Sequence, residues 1–279
     1  MILIHGGPGF THHYLEPLYR LANERPVVFY DQLGCGKSDR PHDLSYCNIN
    51  YFVSELDNLI QHLGYNKLSL LGHSWGSAIA AEYAIVNHNV TNLIFASPFL
   101  SAPLWNEDIK LYKKALPRDL SNAIETTDYN SEKFLAAHEE YYKWHVYGTA
   151  QSDRSIILST EESSRDVYYK MWGPDEFTIN GELKDYDCTG NINQVSARVL
   201  FTCGEFDTGS PRACKLIAKK IKGSSISIFP GCAHFPHLEK KEDYIRCIRS
   251  FLKDEKVKPS GSLAAKLLRY MERKTSSAN

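Results

Sequence analysis

The sequence predicts an α/β protein with a mostly parallel sheet, helices on both faces of that sheet, and an inserted helical cap. Short apolar runs typical of buried strands alternate with segments of helical spacing along most of the 279 residues. Between residues 100 and 186 the buried-strand runs stop, and charged, aromatic and helical patterns take their place. An insertion of this kind between strands predicts a cap or lid.

The composition excludes several classes of function. Hydrophobic residues make up 43% of the chain and charged residues 23%, and the formal net charge is -1. This balance is ordinary for a soluble globular protein and gives no electrostatic footprint for nucleic acid or an anionic membrane. No apolar run approaches the length of a membrane span. The seven cysteines are scattered, so we expect reduced thiols in a cytoplasmic protein, with no disulfide framework or zinc site.

The first strand leads directly into a glycine-rich loop. Ile2–Ile4 is fully apolar, and the sequence His-Gly-Gly-Pro-Gly follows at residues 5–9, which we call the glycine loop. Three glycines around a proline can continue neither a helix nor a strand, so they predict a tight turn. Such a turn is either purely structural or presents backbone N–H groups to an anion.

A second motif, Asp-Gln-Leu-Gly-Cys-Gly-Lys-Ser, occupies residues 31–38 after a strand predicted at 26–30. Its Gly-Lys-Ser ending invites comparison with a phosphate-binding loop. That loop needs a glycine five positions before the Gly-Lys pair, where this chain has Asp31. The next helix also starts near Ile49 or Asn50, too late to place its N-terminus on a phosphate. A structural turn is therefore a better interpretation than an NTPase.

The remaining elements alternate in the same way. They are a helix at 14–23, a helix at 51–63, a strand at 67–71, a helix to about residue 88, and strand 90–96, then strand 198–203, helix 211–220, strand 225–229 and helix 239–252. We therefore expect an α/β core at residues 1–99 and 187–253 and the cap at residues 100–186. Residues 254–279 are charged and then Pro/Gly/Ser-rich, which predicts a flexible C-terminal extension.

A Gly-x-Ser-x-Gly pattern at residues 72–76 lies between the central strand and an alanine-rich helix. A serine on such a sharp turn is held clear of its neighbours at the N-terminus of a helix. The two glycines remove Cβ atoms that would clash with adjacent elements. Because the strand and the helix accompany the pattern, we predict that Ser74 is a nucleophile.

A serine nucleophile needs a general base and a carboxylate that orients the base. Functional groups gather at the C-terminal ends of parallel strands, and Asp207 and His234 each follow such an end. The less favoured alternatives are Glu205, Asp185 and Asp187 for the acid and His237 for the base. The order Ser74, Asp207, His234 is the order found in α/β-hydrolases.

Acyl transfer also needs N–H donors for the oxyanion of the tetrahedral intermediate. The N–H of Trp75, immediately after the nucleophile, predicts one donor, and Gly7 of the glycine loop predicts the other. We interpret His73 as structural, since its side chain should point away from the nucleophile, and His5 as a support for its own loop.

Together these motifs resemble the proline iminopeptidase (prolyl aminopeptidase) family of α/β-hydrolases over roughly residues 1–253. The resemblance rests on residues 5–9, 31–38, 72–76, 204–207 and 231–234. It implies a serine hydrolase that removes an N-terminal residue, proline or another apolar residue, from short peptides through an acyl-enzyme, with no metal or other cofactor. Related members cleave amino-acid amides.

The resemblance also implies how the substrate is held. The family binds the free α-amino group with acidic residues, one of them in a cap segment similar to residues 172–178, which points to Glu176. A carboxylate held above an apolar pocket would pair with a substrate ammonium. Close relatives carry a second glutamate directly after the catalytic aspartate, where this chain has Thr208.

The departure at Thr208 keeps a second function open, an esterase or amidase that acts on small molecules without a free amine. A non-catalytic binding protein on the same scaffold is a third alternative, and the complete set of catalytic residue types argues against it. Relatives also have one or two further strands before the glycine loop. The sequence starts with the strand that enters this loop, so we expect the N-terminal strands to be absent.

Overall fold

A computed structural model describes residues 1–124 and 131–253, and in this part of the chain six strands form one parallel sheet. The strands are β1 (Ile2–Ile4), β2 (Val28–Phe29), β3 (Leu68–His73), β4 (Val90–Ala96), β5 (Arg198–Gly204) and β6 (Ser225–Phe229). Their order is β2-β1-β3-β4-β5-β6, and every neighbouring pair is parallel. The predicted sheet is confirmed.

Helices connect and flank these strands. The α-helices of the described residues are α1 (Ile49–Leu63), α2 (Trp75–Val86), α3 (Ala102–Ala115), α4 (Arg118–Ile124), α5 (Glu132–Tyr141), α6 (Arg154–Glu161), α7 (Arg165–Met171), α8 (Pro211–Ala218), α9 (Pro236–Glu239) and α10 (Lys241–Leu252). Residues His13–Asn23, Gly148–Ala150 and Ile192–Gln194 are 3₁₀ helices, and Tyr142–Tyr147 is a π-helix.

The strand order places helices on both faces of the sheet. The chain steps one way from β1 to β2 and the other way at every later step, and right-handed crossovers put the two sets of helices on opposite faces. Contacts agree, since α1 packs against α2 while α10 packs against the helix His13–Asn23. That segment contains Pro17, which cannot donate an α-helical hydrogen bond, and it forms a 3₁₀ helix.

Helices α3 to α7 all lie between β4 and β5, and the two ends of this segment meet at one place. Ser101 and Asp187 form an antiparallel bridge, the N–H of Ala102 donates to the carbonyl of Tyr186 at 2.7 Å, and the N–H of Cys188 donates to that of Leu100 at 3.2 Å. The chain therefore leaves the sheet and returns to it through one closed neck. Residues 254–279, for which we predict a flexible extension, lie outside the described residues.

Two features bear on the class of protein. The seven cysteines are free thiols, and six of them are buried. Within residues 1–124 and 131–253, every helix is too short or too polar to cross a membrane.

Candidate active site

Ser74 lies on the sharp turn between β3 and α2. Its backbone angles, φ 53° and ψ −122°, fall in a region that residues with a Cβ rarely adopt. The flanking glycines make this turn possible: a Cβ on Gly72 would lie 2.3 Å from the carbonyl oxygen of Gly76, and one on Gly76 would lie 2.2 Å from that of Ile4. The strained turn thus depends on close backbone contacts with β1.

Replacing Gly76 with alanine is expected to lower the free energy of unfolding by about 1–3 kcal/mol, because the new methyl group overpacks against the carbonyl of Ile4. Urea unfolding measures the loss. Gly190→Ala is the matched control, since a Cβ there meets no atom within 4 Å. Equal stability of the two variants would contradict the close approach at the turn.

His234 and Asp207 form a buried pair. Nδ1 of His234 lies 2.6 Å from Oδ1 of Asp207, and this carboxylate also accepts from the N–H groups of Gly209 (2.7 Å) and Gly204 (3.2 Å). With Nδ1–H donated to the carboxylate, Nε2 of His234 is free to accept a proton. Burial disfavours the imidazolium, but the charge and hydrogen bond of Asp207 outweigh it and raise the pKa of His234.

The alternative acids and base are placed elsewhere. Glu205, Asp185 and Asp187 are exposed, whereas the carboxylate paired with the imidazole is fully buried. Nε2 of His237 donates to the carbonyl of Tyr14 at 3.1 Å, and burial lowers the pKa of His237 to about 3. His237 is therefore a neutral structural residue.

The glycine loop packs directly against the nucleophile. A Cβ on Gly6 would lie only 3.0 Å from the Cβ of Ser74, and Gly7 lies beside it with φ +118°. The N–H of Gly6 donates to the hydroxyl of Tyr14 at 2.6 Å, so this N–H already has a partner within the protein. Trp75 is the first residue of α2, where backbone N–H groups have no partner within the helix. Gly7 and Trp75, the two residues predicted to supply oxyanion donors, therefore both lie beside Ser74.

Tyr14 connects the glycine loop to His234, a link that sequence reasoning missed. Because its hydroxyl accepts from Gly6, its own proton goes to Nδ1 of His73 at 2.9 Å, and Nε2–H of His73 donates to the carbonyl of His234 at 2.9 Å. Burial lowers the pKa of His73 well below its usual value. The ring is therefore neutral, as it must be for Nδ1 to accept from Tyr14 while Nε2–H donates to His234. The helical spacing of residues 14–23 gives no hint of the Tyr14 contact.

A cavity of about 320 Å³ lies above Ser74. Its walls come from both the sheet loops and the inserted segment, and include Gly7, Ser74, His234, Tyr142, Tyr168 and Glu176. The Tyr168 hydroxyl donates to Oε2 of Glu176, and the N–H of Glu176 donates to the Tyr142 hydroxyl, both at 3.2 Å. Burial raises the pKa of Glu176 to about 7, against the opposing influence of His234 and Tyr168. Glu176 and Ser74 therefore share one cavity.

Thr208 is buried directly after Asp207. Its hydroxyl lies 2.8 Å from that of Tyr141, and its N–H donates to the carbonyl of His145 at 3.0 Å. The position therefore joins the core loop to the inserted segment through neutral hydrogen bonds and supplies no carboxylate.

One group of metal-ligating side chains occurs in the described residues, outside the walls of this cavity. The ligand atoms of His12, His13 and Glu16 lie within 4.8 Å of one another. Nδ1 of His12 lies 2.7 Å from Oδ1 of Asp31. Asp31, the first residue of the motif at 31–38, therefore binds the segment that follows the glycine loop. This contact accounts for Asp31 structurally.

The sequence of this chain is similar to a known protein family and to individual members of it. The family described as the alpha/beta hydrolase fold matches residues 1–241. The proline iminopeptidase of Heyndrickxia coagulans is 39% identical over 259 residues, covering 90% of each chain. The proline iminopeptidase of Saccharolobus solfataricus is 34% identical over 260 residues, covering 90% of this chain and 84% of the relative.

Two solved structures agree over the same extent. The crystal structure of proline iminopeptidase from Mycobacterium smegmatis superposes with a TM-score of 0.85 at 29% identity, covering 91% of this chain and 88% of the other. The crystal structure of VinJ gives a TM-score of 0.86 at 26% identity, covering 91% and 89%.

Proposed function

The chain belongs to the proline iminopeptidase family of α/β-hydrolases, and from this premise we propose that Ser74, His234 and Asp207 carry its reaction. The protein is a serine hydrolase of the aminopeptidase type. Its proposed substrates are short peptides from which it releases the N-terminal residue, proline or another apolar residue. The observation that carries the proposal is the 2.6 Å pair of His234 and Asp207 beside a cavity that also contains Ser74 and Glu176.

Substrate binding depends on charge and on the aromatic wall. The α-ammonium of the peptide pairs with the Glu176 carboxylate, which accepts from the Tyr168 hydroxyl at 3.2 Å, while the backbone N–H of Glu176 donates to the Tyr142 hydroxyl at 3.2 Å. Such a charge-assisted bond is strong where water is excluded. The first carbonyl of the peptide then lies over Ser74, because the amine and the carbonyl are separated by one Cα.

In the first half of the reaction, Oγ of Ser74 attacks this carbonyl while Nε2 of His234 takes the hydroxyl proton. The N–H groups of Trp75 and Gly7 bind the oxyanion of the tetrahedral intermediate. His234 gives its proton to the leaving nitrogen, the peptide C–N bond breaks, and an acyl-enzyme remains on Ser74. Asp207 holds the imidazole in the required tautomer throughout.

In the second half a water molecule gives a proton to Nε2 of His234 and attacks the acyl-enzyme. The same two N–H groups bind the second oxyanion. The ester bond to Ser74 then breaks, His234 returns the proton to Oγ, and the free amino acid leaves. Each step uses only groups of this chain and water.

The proposed division of the chain assigns residues 100–186 to a cap and residues 1–99 and 187–253 to the core. Support comes from the closed neck at Ser101 and Asp187 and from the cavity wall. The core supplies Ser74 and the cap supplies Glu176, so both parts are needed to bind and cleave a substrate.

Replacing Glu176 with glutamine is expected to lower kcat/KM for an unblocked prolyl anilide by about 10-fold to 100-fold, because one charge-assisted hydrogen bond to the ammonium, worth about 1.5–3 kcal/mol, is lost. Turnover of the N-acetylated anilide, which has no ammonium, should remain unchanged. Glu182→Gln is the matched control, since Glu182 also lies in the cap but pairs with Lys170 at 2.6 Å.

The same comparison separates the peptidase from the esterase or amidase alternative. Equal turnover of the free and N-acetylated anilides by the unmodified protein would contradict the aminopeptidase assignment. An unchanged kcat/KM in Glu176→Gln would contradict only the role of Glu176 in binding the amine.

The pH profile of this variant gives a second readout. With a pKa of about 7, Glu176 is ionised above that pH and protonated below it, so kcat/KM for the free-amine substrate should fall as pH drops through 7. The negative charge of Glu176 also raises the pKa of His234. In Glu176→Gln the fall of kcat/KM at acid pH should report only the protonation of His234, and we expect it to occur at a lower pH.

A cytoplasmic location is part of the proposal. It is supported by the seven free cysteines, because thiols persist in reducing compartments.

A further inference from the structure

Gln32 lies in the motif at residues 31–38, which the reaction leaves without a role. The residue is 1% exposed, and both ends of its amide are bonded. Oε1 accepts from the indole Nε1–H of Trp75 at 2.9 Å, and Nε2 donates to the carbonyl of His5 at 2.8 Å. One side chain therefore joins the first residue after the nucleophile to the first residue of the glycine loop.

A third bond fixes the ring of His5. The backbone N–H of Gln32 donates to Nε2 of His5 at 2.9 Å, so the ring proton is on Nδ1. Nδ1–H then donates to the carbonyl oxygen of Gly6 at 2.9 Å. Burial lowers the pKa of His5 to about 4, so the ring keeps one donor and one acceptor at neutral pH.

The carbonyl that His5 holds belongs to the same peptide group as the N–H of Gly7. A trans peptide is planar, and its C=O and N–H point in opposite directions. Fixing the oxygen of Gly6 on one side therefore fixes the direction of the Gly7 N–H on the other. Gln32 thus holds His5 in two ways, through its backbone N–H to the ring and through its side chain to the carbonyl, and it holds Trp75 through the indole.

We propose that Gln32 is a positioning residue that sets the two oxyanion donors, the N–H groups of Gly7 and Trp75, at their working separation. The inference rests on the proposed function, because it assumes that these two groups bind the oxyanion. Gln32 itself does not touch the substrate. Its contribution is geometric, since donors stabilise an oxyanion only when they are aimed at its position in advance.

Gln32→Leu tests the proposal, because it removes the side-chain bonds to Trp75 and to the His5 carbonyl and leaves only the backbone N–H bond to the His5 ring. Loss of a whole oxyanion donor typically costs about 10²-fold to 10³-fold in kcat, and loosening both donors should cost about 10-fold to 100-fold. KM for a prolyl anilide should stay within about twofold, because the ammonium site at Glu176 is intact. Thermal unfolding checks the fold, and Gln32→Met, closer in shape and also without the amide, replaces Gln32→Leu if that variant does not fold.

Asn92→Leu is the matched control. Asn92 is a fully buried amide between β4 and β3 whose Nδ2 donates to Ser69 at 3.0 Å. Its loss should lower stability and leave kcat unchanged. A purely structural role for Gln32 predicts that both variants lose stability and that neither loses kcat, which would overturn the proposal.

The rate of Ser74 modification by a fluorophosphonate gives a readout that needs no peptide substrate. Its phosphoryl oxygen uses the same two donors, so Gln32→Leu should slow labelling by a factor similar to the loss in kcat. Trp75→Phe removes the hydrogen bond of the indole. In this background Gln32→Leu should lower the labelling rate by a smaller factor than it does in the unmodified protein. Independent, multiplicative losses would contradict the link through the indole.

The two proposals fail in different ways. If the unmodified protein is labelled quickly but does not cleave the prolyl anilide, the peptidase function is wrong and the labelling rates still test Gln32. If it cleaves the anilide and Gln32→Leu matches it in kcat and labelling rate, the positioning role is wrong.

Discussion

Replacing Ser74 with alanine is expected to lower kcat for a prolyl anilide by about 10⁶-fold. The variant keeps the cavity and the oxyanion donors, but no atom remains that can form the acyl-enzyme. KM should change little, since Glu176 still binds the ammonium. Single-turnover kinetics with a sensitive fluorogenic amide measure the residual rate, and fluorophosphonate labelling should disappear completely.

Ser97→Ala provides the control for Ser74→Ala. Ser97 is also a buried serine with positive φ, 48°, and it follows β4 next to the nucleophile turn. Its substitution should leave labelling and turnover intact. If Ser74→Ala is still labelled, or if Ser97→Ala loses labelling, another residue is the nucleophile and the proposed reaction is wrong.

Replacing Asp207 with asparagine is expected to lower kcat by about 10⁴-fold while KM and the fold persist. The carboxylate of Asp207 accepts from Nδ1 of His234, and an amide that donates there instead would turn the ring to the tautomer in which Nε2 carries the proton. Nε2 could then no longer accept the proton of Ser74. Steady-state kinetics and ¹H NMR of the imidazole protons measure the two consequences.

The matched control for Asp207→Asn is Asp108→Asn. Asp108 is another buried carboxylate, 2% exposed, which accepts from Ser210 and pairs with Arg212 at 3.3 Å. The Asp108→Asn variant should have a lower free energy of unfolding and an unchanged kcat. A comparable loss of kcat in both variants would show that burial of any carboxylate matters, and would contradict a specific role for Asp207 in holding the histidine.

Local sequence was sufficient for most of the fold. Apolar runs predicted β1, β3, β4 and β5 close to their observed bounds, because a strand buried on both faces has little tolerance for polar residues. The edge strand β6, in which serine and isoleucine alternate, was also predicted at its observed bounds. The edge strand β2 spans only Val28–Phe29, shorter than the predicted 26–30, since it pairs with β1 alone. The helix at His13–Asn23 was predicted in position, while its 3₁₀ form was not predicted.

The proposed site divides in the same way. Ser74 was predicted because its strained backbone needs glycines at fixed spacing. Gly7 was predicted because acyl transfer needs a second oxyanion donor and the glycine loop follows a strand end. Asp207 and His234 were identifiable because parallel strands end at one edge of the sheet. Glu176 came only from the family resemblance, since nothing local distinguishes it from a surface carboxylate.

The sequence by itself determined the individual strands and the turn at Ser74, because each depends on spacing within a few residues of the chain, and the order of the proposed catalytic residues, because that order is read directly along the chain. Only the tertiary structure decided which polar groups meet. Tyr14, His73 and His234 form one chain of hydrogen bonds, and Gln32 joins Trp75 to His5. These contacts link segments far apart in sequence, and a buried hydrogen bond leaves no periodic pattern along the chain that would reveal its partner.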